Sequence, residues 1–167
     1  IWNGYSVTEE RKQEVLFTNP YLDNKQVVVV MADSGIESLE DLAGKVVAAQ
    51  EDSSAVEAID SHPDLAATFG DRPEFATNDM AIMDMEAGRS DAVVADSVLL
   101  DYVISHKEDP SQYRILEEDL GSEEFAVGVR KEDTALAEAI NEAFAELKED
   151  GTAAELSIKW FGEDIVK

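Results

Sequence analysis

The chain has 167 residues, with 38 acids against 13 bases and a formal net charge of −25. That balance excludes the clustered lysine and arginine that nucleic acid or an anionic membrane surface requires. The absence of cysteine excludes disulfides, cysteine-ligated zinc and thiol catalysis. With 44% hydrophobic residues the chain can bury a core, as one domain or two small lobes. No apolar run approaches the ~20 residues of a membrane-spanning helix.

Taken in order, the sequence opens on IWNGYS rather than on a basic and then apolar leader, and reads as the interior of something longer. The stretch SVTEERKQEVLFTNPY follows. Its hydroxyls at Ser6 and Thr8 open an expected helix with Arg11 in its first turn. A cation is unusual there, because the first turn of a helix favours acids. KQVVVVM (Lys25 to Met31) is β-branched and reads as a buried strand. SLEDLAGK is a short helix capped by Ser38 and ended by Gly44. KVVAAQ is a strand, and SAVEAIDSH a helix with Ser54 and Glu57 as a capping box. After a loop from Asp64 to Pro73 come the strand EFAT, a helix from Asn78 to Gly88 with Asn78 as cap, the strand DAVVADS, and the helix VLLDYVISHK. YRILEED and EEFAVGVRK are two further strands, separated by a loop around Glu117 to Glu124. Two helices close the chain, the first with Leu136, Ile140, Ala143 and Leu147 on one stripe and Gly151 as its stop. Strands alternating with helices give an α/β fold with parallel strands.

The chemistry-bearing candidates are few. His62 and His106 have no ligand-spaced partner, so no metal or catalytic triad is expected, and no phosphate-binding glycine motif occurs. With 38 acids, carboxylate pairs arise by chance and identify no catalytic pair. Two places remain. In GYSVTEER, Ser6, Thr8 and Arg11 can converge on an anion, since a guanidinium grips a carboxylate through two parallel hydrogen bonds; alternatively Arg11 pairs with Glu10, Glu14 or another acid. In QEDSSAVEA a strand ends in two serines before a helix, the usual ligand position of an open α/β sheet, or else a plain helix cap. Asp96 ends a strand, either as the cap of the next helix or as a carboxylate that holds a cation.

GYSVTEERKQEVLFTNPY resembles the G-x-[ST]-[IV]-T-x-x-R…F-[ST]-x-P-Y signature of the family 3 solute-binding proteins, the amino-acid-binding proteins of ABC importers. SLEDLAGKVVAAQEDSSA, MEAGRSDAVVADS and VGVRKEDTALAEAINEAFAELKEDGTAAELSIKWFGED resemble three later segments of that family, in order. The resemblance implies a type II periplasmic-binding-protein-like fold of two α/β lobes that close on an amino acid. Residues 1–26 and 126–167 would belong to lobe 1, and 27–125 to lobe 2 with hinge strands at its ends. Arg11 and Ser6 would bind the ligand α-carboxylate, and the Gly4 carbonyl would accept from the α-ammonium. Ser53 and Ser54 would cap the carboxylate, and Asp96 would hold the α-ammonium. Asp52 stands where the family usually has glycine, and the family's first segment has no counterpart in this sequence.

The implied function is binding of a polar amino acid for delivery to an ABC transporter permease, with no cofactor and no catalysis. The parent would be a secreted, lipid-anchored protein on the extracellular face of the membrane or a periplasmic one. The same clamp also serves as the ligand-sensing domain of membrane receptors, and dehydratase-like enzymes of similar fold exist. For such an enzyme Glu51 and Asp52 are the local proton donors. Lobe 1 without its opening strands would leave edges and helix faces open to self-association or exchange of elements between copies.

Overall fold

The structure is a computed structural model that describes residues 1–167. The chain divides into two compact units, one made of Ile1–Asn24 with Glu123–Lys167 and the other of Lys25–Ser122. It passes from the first unit to the second within strand β2 (Leu22–Met31) and back within β6 (Tyr113–Phe125).

The second unit is built on a sheet of order β4-β3-β5-β2-β6, with β3 at Val47–Gln50, β4 at Glu74–Phe75 and β5 at Ala92–Asp96. Alternate side chains of a strand point to opposite faces, and in this sheet both faces are covered. Val28, Val30, Val47, Ala49, Ala92 and Val94 pack on one side with Ala55 and Ile59 of α1 (Ser54–Asp60). Val27, Val29, Ala48, Val93 and Ala95 pack on the other. Their partners there are Ala81, Ile82 and Met85 of α3 (Asn78–Glu86) and Leu100 of α4 (Ser97–Ser105). This double burial is why the sequence shows unbroken apolar runs rather than alternation.

The expected all-parallel sheet is corrected to a mixed one. β3 runs parallel to β4 and β5, but β2 runs antiparallel to β5, with Gln26 opposite Asp96 and Val30 opposite Ala92. The expected loop at Glu117 to Glu124 is instead part of a 13-residue strand, β6. Its acids and Gly121 read as loop by composition, but pairing in the sheet overrides local propensity. Gly121 takes φ 129°, which suits a residue without Cβ. Residues 64–73, expected as loop throughout, hold a single helical turn, α2 (Pro63–Ala66). Ser38 caps its short helix as expected, but the caps of α1 and α3 lie one residue earlier than expected. Thr77 caps α3 and its Oγ accepts from the Met80 N–H at 3.2 Å. Ser53, not Ser54, is the N-cap of α1, so the expected box with Glu57 does not form.

The turn that leads from α3 into β5 is closed by Asp84. Its carboxylate accepts from Arg89 Nε at 2.6 Å and from Ser90 Oγ at 2.7 Å, and its side chain is 12% exposed.

The first unit joins β1 (Leu16–Phe17) to β7 (Gly128–Val129) in an antiparallel pair. Helix α5 (Thr134–Glu149) packs against β1 and α6 (Thr152–Phe161). Tyr21 meets Phe144 of α5 edge to face at 6.0 Å. The expected stripe on α5 is not its buried face. Leu136 and Leu147 are exposed, whereas Ala137 is buried and Ile140, Asn141 and Phe144 are partly buried. The 137, 140, 141, 144 spacing is itself helical, displaced by one position from the stripe read in the sequence. Gly151 and Gly162, both left-handed, bound α6.

The Ser90 hydroxyl and then Arg89 hold the Asp84 carboxyl below its ordinary value of 3.8. A lowered folded-state pKa contributes stability that is present above the unfolded value and is lost as pH falls through the folded one. Asp84→Asn is therefore expected to be less stable than wild type at neutral pH, with the difference shrinking as pH drops below about 3.8. Denaturant midpoints measured across that range check this; a gap that is constant or widens in acid contradicts it.

Candidate functional site

In the first unit, the segment ahead of β1 is tied to the end of β6. Ser6 bridges Phe125, the Val7 N–H donates to the Glu124 carbonyl, and the Ala126 N–H donates to the Tyr5 carbonyl. Gly4 lies against the Phe125 ring, where an added Cβ would come within 3.3 Å of the ring. The expected helix with Arg11 in its first turn is only a short 3-10 turn, Arg11–Gln13. Arg11 begins that turn, and the Arg11 N–H donates to Thr8 Oγ at 3.2 Å.

The Arg11 guanidinium donates through Nη1 to the Ser6 carbonyl at 3.1 Å and lies 4.7 Å from the centroid of the Tyr5 ring. Its partners are a carbonyl dipole and an aromatic face, which hold a cation without neutralising it. The pairing with Glu10 or Glu14 that the sequence left open is not made. Ser6 is fully buried, and its hydroxyl donates to Glu123 Oε1 at 2.6 Å, an oxygen that also accepts from Asn24 Nδ2 at 2.6 Å. Arg11 and Ser6 are thus brought together through the Ser6 backbone, while the Ser6 side chain turns to Glu123.

In the second unit, Gln50, Ser53, Ser54 and Asp96 lie at the carboxyl ends of β3 and β5. The Ser53 hydroxyl donates to the Gln50 carbonyl at 2.6 Å. Asp96 is both the last residue of β5 and the N-cap of α4. Ser54 and Asp96 are joined by a residue the sequence reading passed over. Gln26 Nε2 donates to Asp96 Oδ1 at 2.7 Å and to Ser54 Oγ at 3.1 Å. Tyr5 was likewise passed over. The signal for Gln26 was a single amide at the head of the VVVV run; that for Tyr5 was an aromatic inside the arginine signature.

Residues 1–163 match the bacterial extracellular solute-binding proteins, family 3. The chain belongs to that family. Among its relatives, it is 30% identical over 166 residues to ABC transporter arginine-binding protein 1 of Escherichia coli, covering 96% of this chain and 65% of that protein. It is 30% identical over 171 residues to the histidine-binding periplasmic protein of the same species, covering 99% and 65%. A crystal structure of an ABC uptake transporter substrate binding protein from Streptococcus pneumoniae with bound histidine superposes with a TM-score of 0.95 at 39% identity, over all of this chain and 69% of that one. The chain thus spans just under two thirds of the length of these curated relatives. The fold is that of type II periplasmic binding proteins, and the relatives named are binding proteins rather than enzymes. No helix is long and apolar enough to cross a membrane.

Asp52, where the resemblance implies a glycine, has φ 53°. This left-handed conformation is open to glycine without penalty, tolerated by aspartate and costly for a β-branched residue. Asp52→Val is expected to lower stability by about 1–2 kcal/mol, whereas Asp52→Gly is expected not to lower it. Equilibrium denaturation of the three proteins checks the order, and a valine variant as stable as wild type contradicts it.

Proposed function

We propose that this protein is the ligand-binding component of an amino-acid ABC importer, acting outside the cytoplasmic membrane on a free polar amino acid and presenting it to the transporter permease without chemical change. The reading is supported by family membership and by relatives named for binding arginine and histidine. The observation that carries it is Arg11: in a chain with 38 acids, this partly buried guanidinium is held by a carbonyl and a tyrosine ring rather than by a carboxylate.

In this reading Arg11 takes the ligand α-carboxylate through paired hydrogen bonds, a geometry that lysine cannot reproduce. Ser6 supports it mainly through its backbone, which fixes the guanidinium, and the Gly4 carbonyl accepts from the α-ammonium. In the second unit Ser53 and Ser54 add polar contacts to the carboxylate. Asp96 holds the α-ammonium. The backbone-like half of the ligand is then recognised by charge, and its side chain by other contacts. Binding energy goes into stabilising the ligand-bound state, which the permease distinguishes from the free one.

Removing one partner of a buried, hydrogen-bonded charge pair costs about 2–5 kcal/mol. Arg11→Ala is therefore expected to weaken every α-amino acid ligand by roughly 30-fold to several-thousand-fold while leaving their order of preference unchanged. Calorimetric titration with the twenty proteinogenic amino acids checks this. Binding within threefold of wild type would remove Arg11 from the carboxylate, and a reordered preference would assign it to side-chain recognition.

A further inference from the structure

Gln26 is 2% exposed and lies midway along β2, immediately before its run of four buried valines. A buried amide is expensive unless its polar atoms are used. Its Nε2 is used twice, 2.7 Å from Asp96 Oδ1 and 3.1 Å from Ser54 Oγ. Because a carboxylate only accepts, the nitrogen of the amide must face Asp96, and the orientation of the side chain follows. The antiparallel register sets Gln26 directly opposite Asp96, so the contact arises from the sheet itself and not from a mobile loop.

We propose that Gln26 is a positioning residue of the second unit's ligand-binding groups: its amide fixes the Asp96 carboxylate as an ammonium acceptor and holds the Ser54 hydroxyl as a donor. Both effects come from the same nitrogen. The hydrogen bond to Oδ1 selects one rotamer of Asp96 and directs its remaining acceptor positions. The bond into Ser54 Oγ occupies a lone pair and turns the hydroxyl proton away from Gln26, the polarity an anionic ligand group requires. Neither Asp96 nor Ser54 lies within 25 residues of Gln26 in sequence (the separations are 70 and 28), so the arrangement exists only in the folded sheet. The inference rests on the proposed role of Asp96 as the partner of the ligand ammonium.

The test is a double-mutant cycle read by calorimetric titration. The ligand is whichever of the twenty proteinogenic L-amino acids binds the wild-type protein most tightly. Gln26→Met keeps the length and removes both hydrogen bonds; it is expected to weaken binding about ten- to a hundredfold. In the Asp96→Asn background the same change is expected to alter affinity less than threefold, because the group it positions is already gone. Circular dichroism identifies a temperature at which every variant is folded. If Gln26→Met does not fold, Gln26→Asn, which withdraws the amide by one methylene, carries the same comparison. A Gln26 variant within threefold of wild type, while Asp96→Asn is strongly weakened, overturns the positioning role. Effects that simply multiply also overturn it, since Gln26 would then act independently of Asp96. If Asp96→Asn itself binds like wild type, the assignment of Asp96 fails first and takes this inference with it.

Discussion

The second unit depends on one constraint: its central sheet is buried on both faces. Val27 to Val30, Val47 to Ala49 and Ala92 to Ala95 have no face turned to water. A sheet covered in this way leaves polar chemistry only at its strand ends, where backbone and side-chain groups reach solvent or a ligand. Gln50, the serines after it and Asp96 occupy the carboxyl ends of β3 and β5. The reversal of β2 then brings Gln26, where its pairing with β5 starts, to the same end of the sheet. A parallel β2 would have placed Gln26 at the opposite end, away from Asp96. Strand direction, set by the packing of the whole unit, is therefore what supplies Asp96 with a fixed donor.

The first unit solves a different electrostatic problem. At a net charge of −25, most bases have an acid within reach, as Lys12, Lys25, Arg72, Arg89, Lys107, Arg130 and Lys167 do. An arginine that takes an outside anion, the role proposed for Arg11, must be held without being paired. The Tyr5 ring face and the Ser6 carbonyl do this at 4.7 Å and 3.1 Å. Both attract the cation, and neither carries the full charge that would compete with a carboxylate ligand. Glu123 meanwhile takes the Ser6 hydroxyl and the Asn24 amide, so the nearest residues of that segment are bonded to one another.

The α/β class, the helices to within a residue of their caps, and the strands at Lys25 to Met31, Lys45 to Gln50 and Asp91 to Ser97 were legible because hydrophobic period and end signals are local. What failed to read was non-local. The acids and glycine of Glu117 to Glu124 resemble a loop until a neighbouring strand gives their backbone groups partners. Nothing in KQVVVV states its direction relative to DAVVADS. The stripe on α5 was displaced by one position because Leu136 and Ala137 compete for the inward face, and tertiary contact gave it to the smaller residue. At the candidate site the sequence could single out Arg11, Ser54 and Asp96, but not the partners that the fold gives them. Tyr5 and Gln26 matter only through contacts that the fold creates.

The central claim, that charge recognition of the ligand's two backbone-like termini governs binding, is tested most directly by removing each terminus from the ligand instead of from the protein. Calorimetry would compare the tightest-binding L-amino acid with its decarboxylated amine and its deaminated acid, all three with the same side chain. The account predicts that each analogue binds at least about 30-fold more weakly than the intact amino acid, a loss of about 2 kcal/mol or more. Either analogue binding within threefold of the amino acid would contradict it.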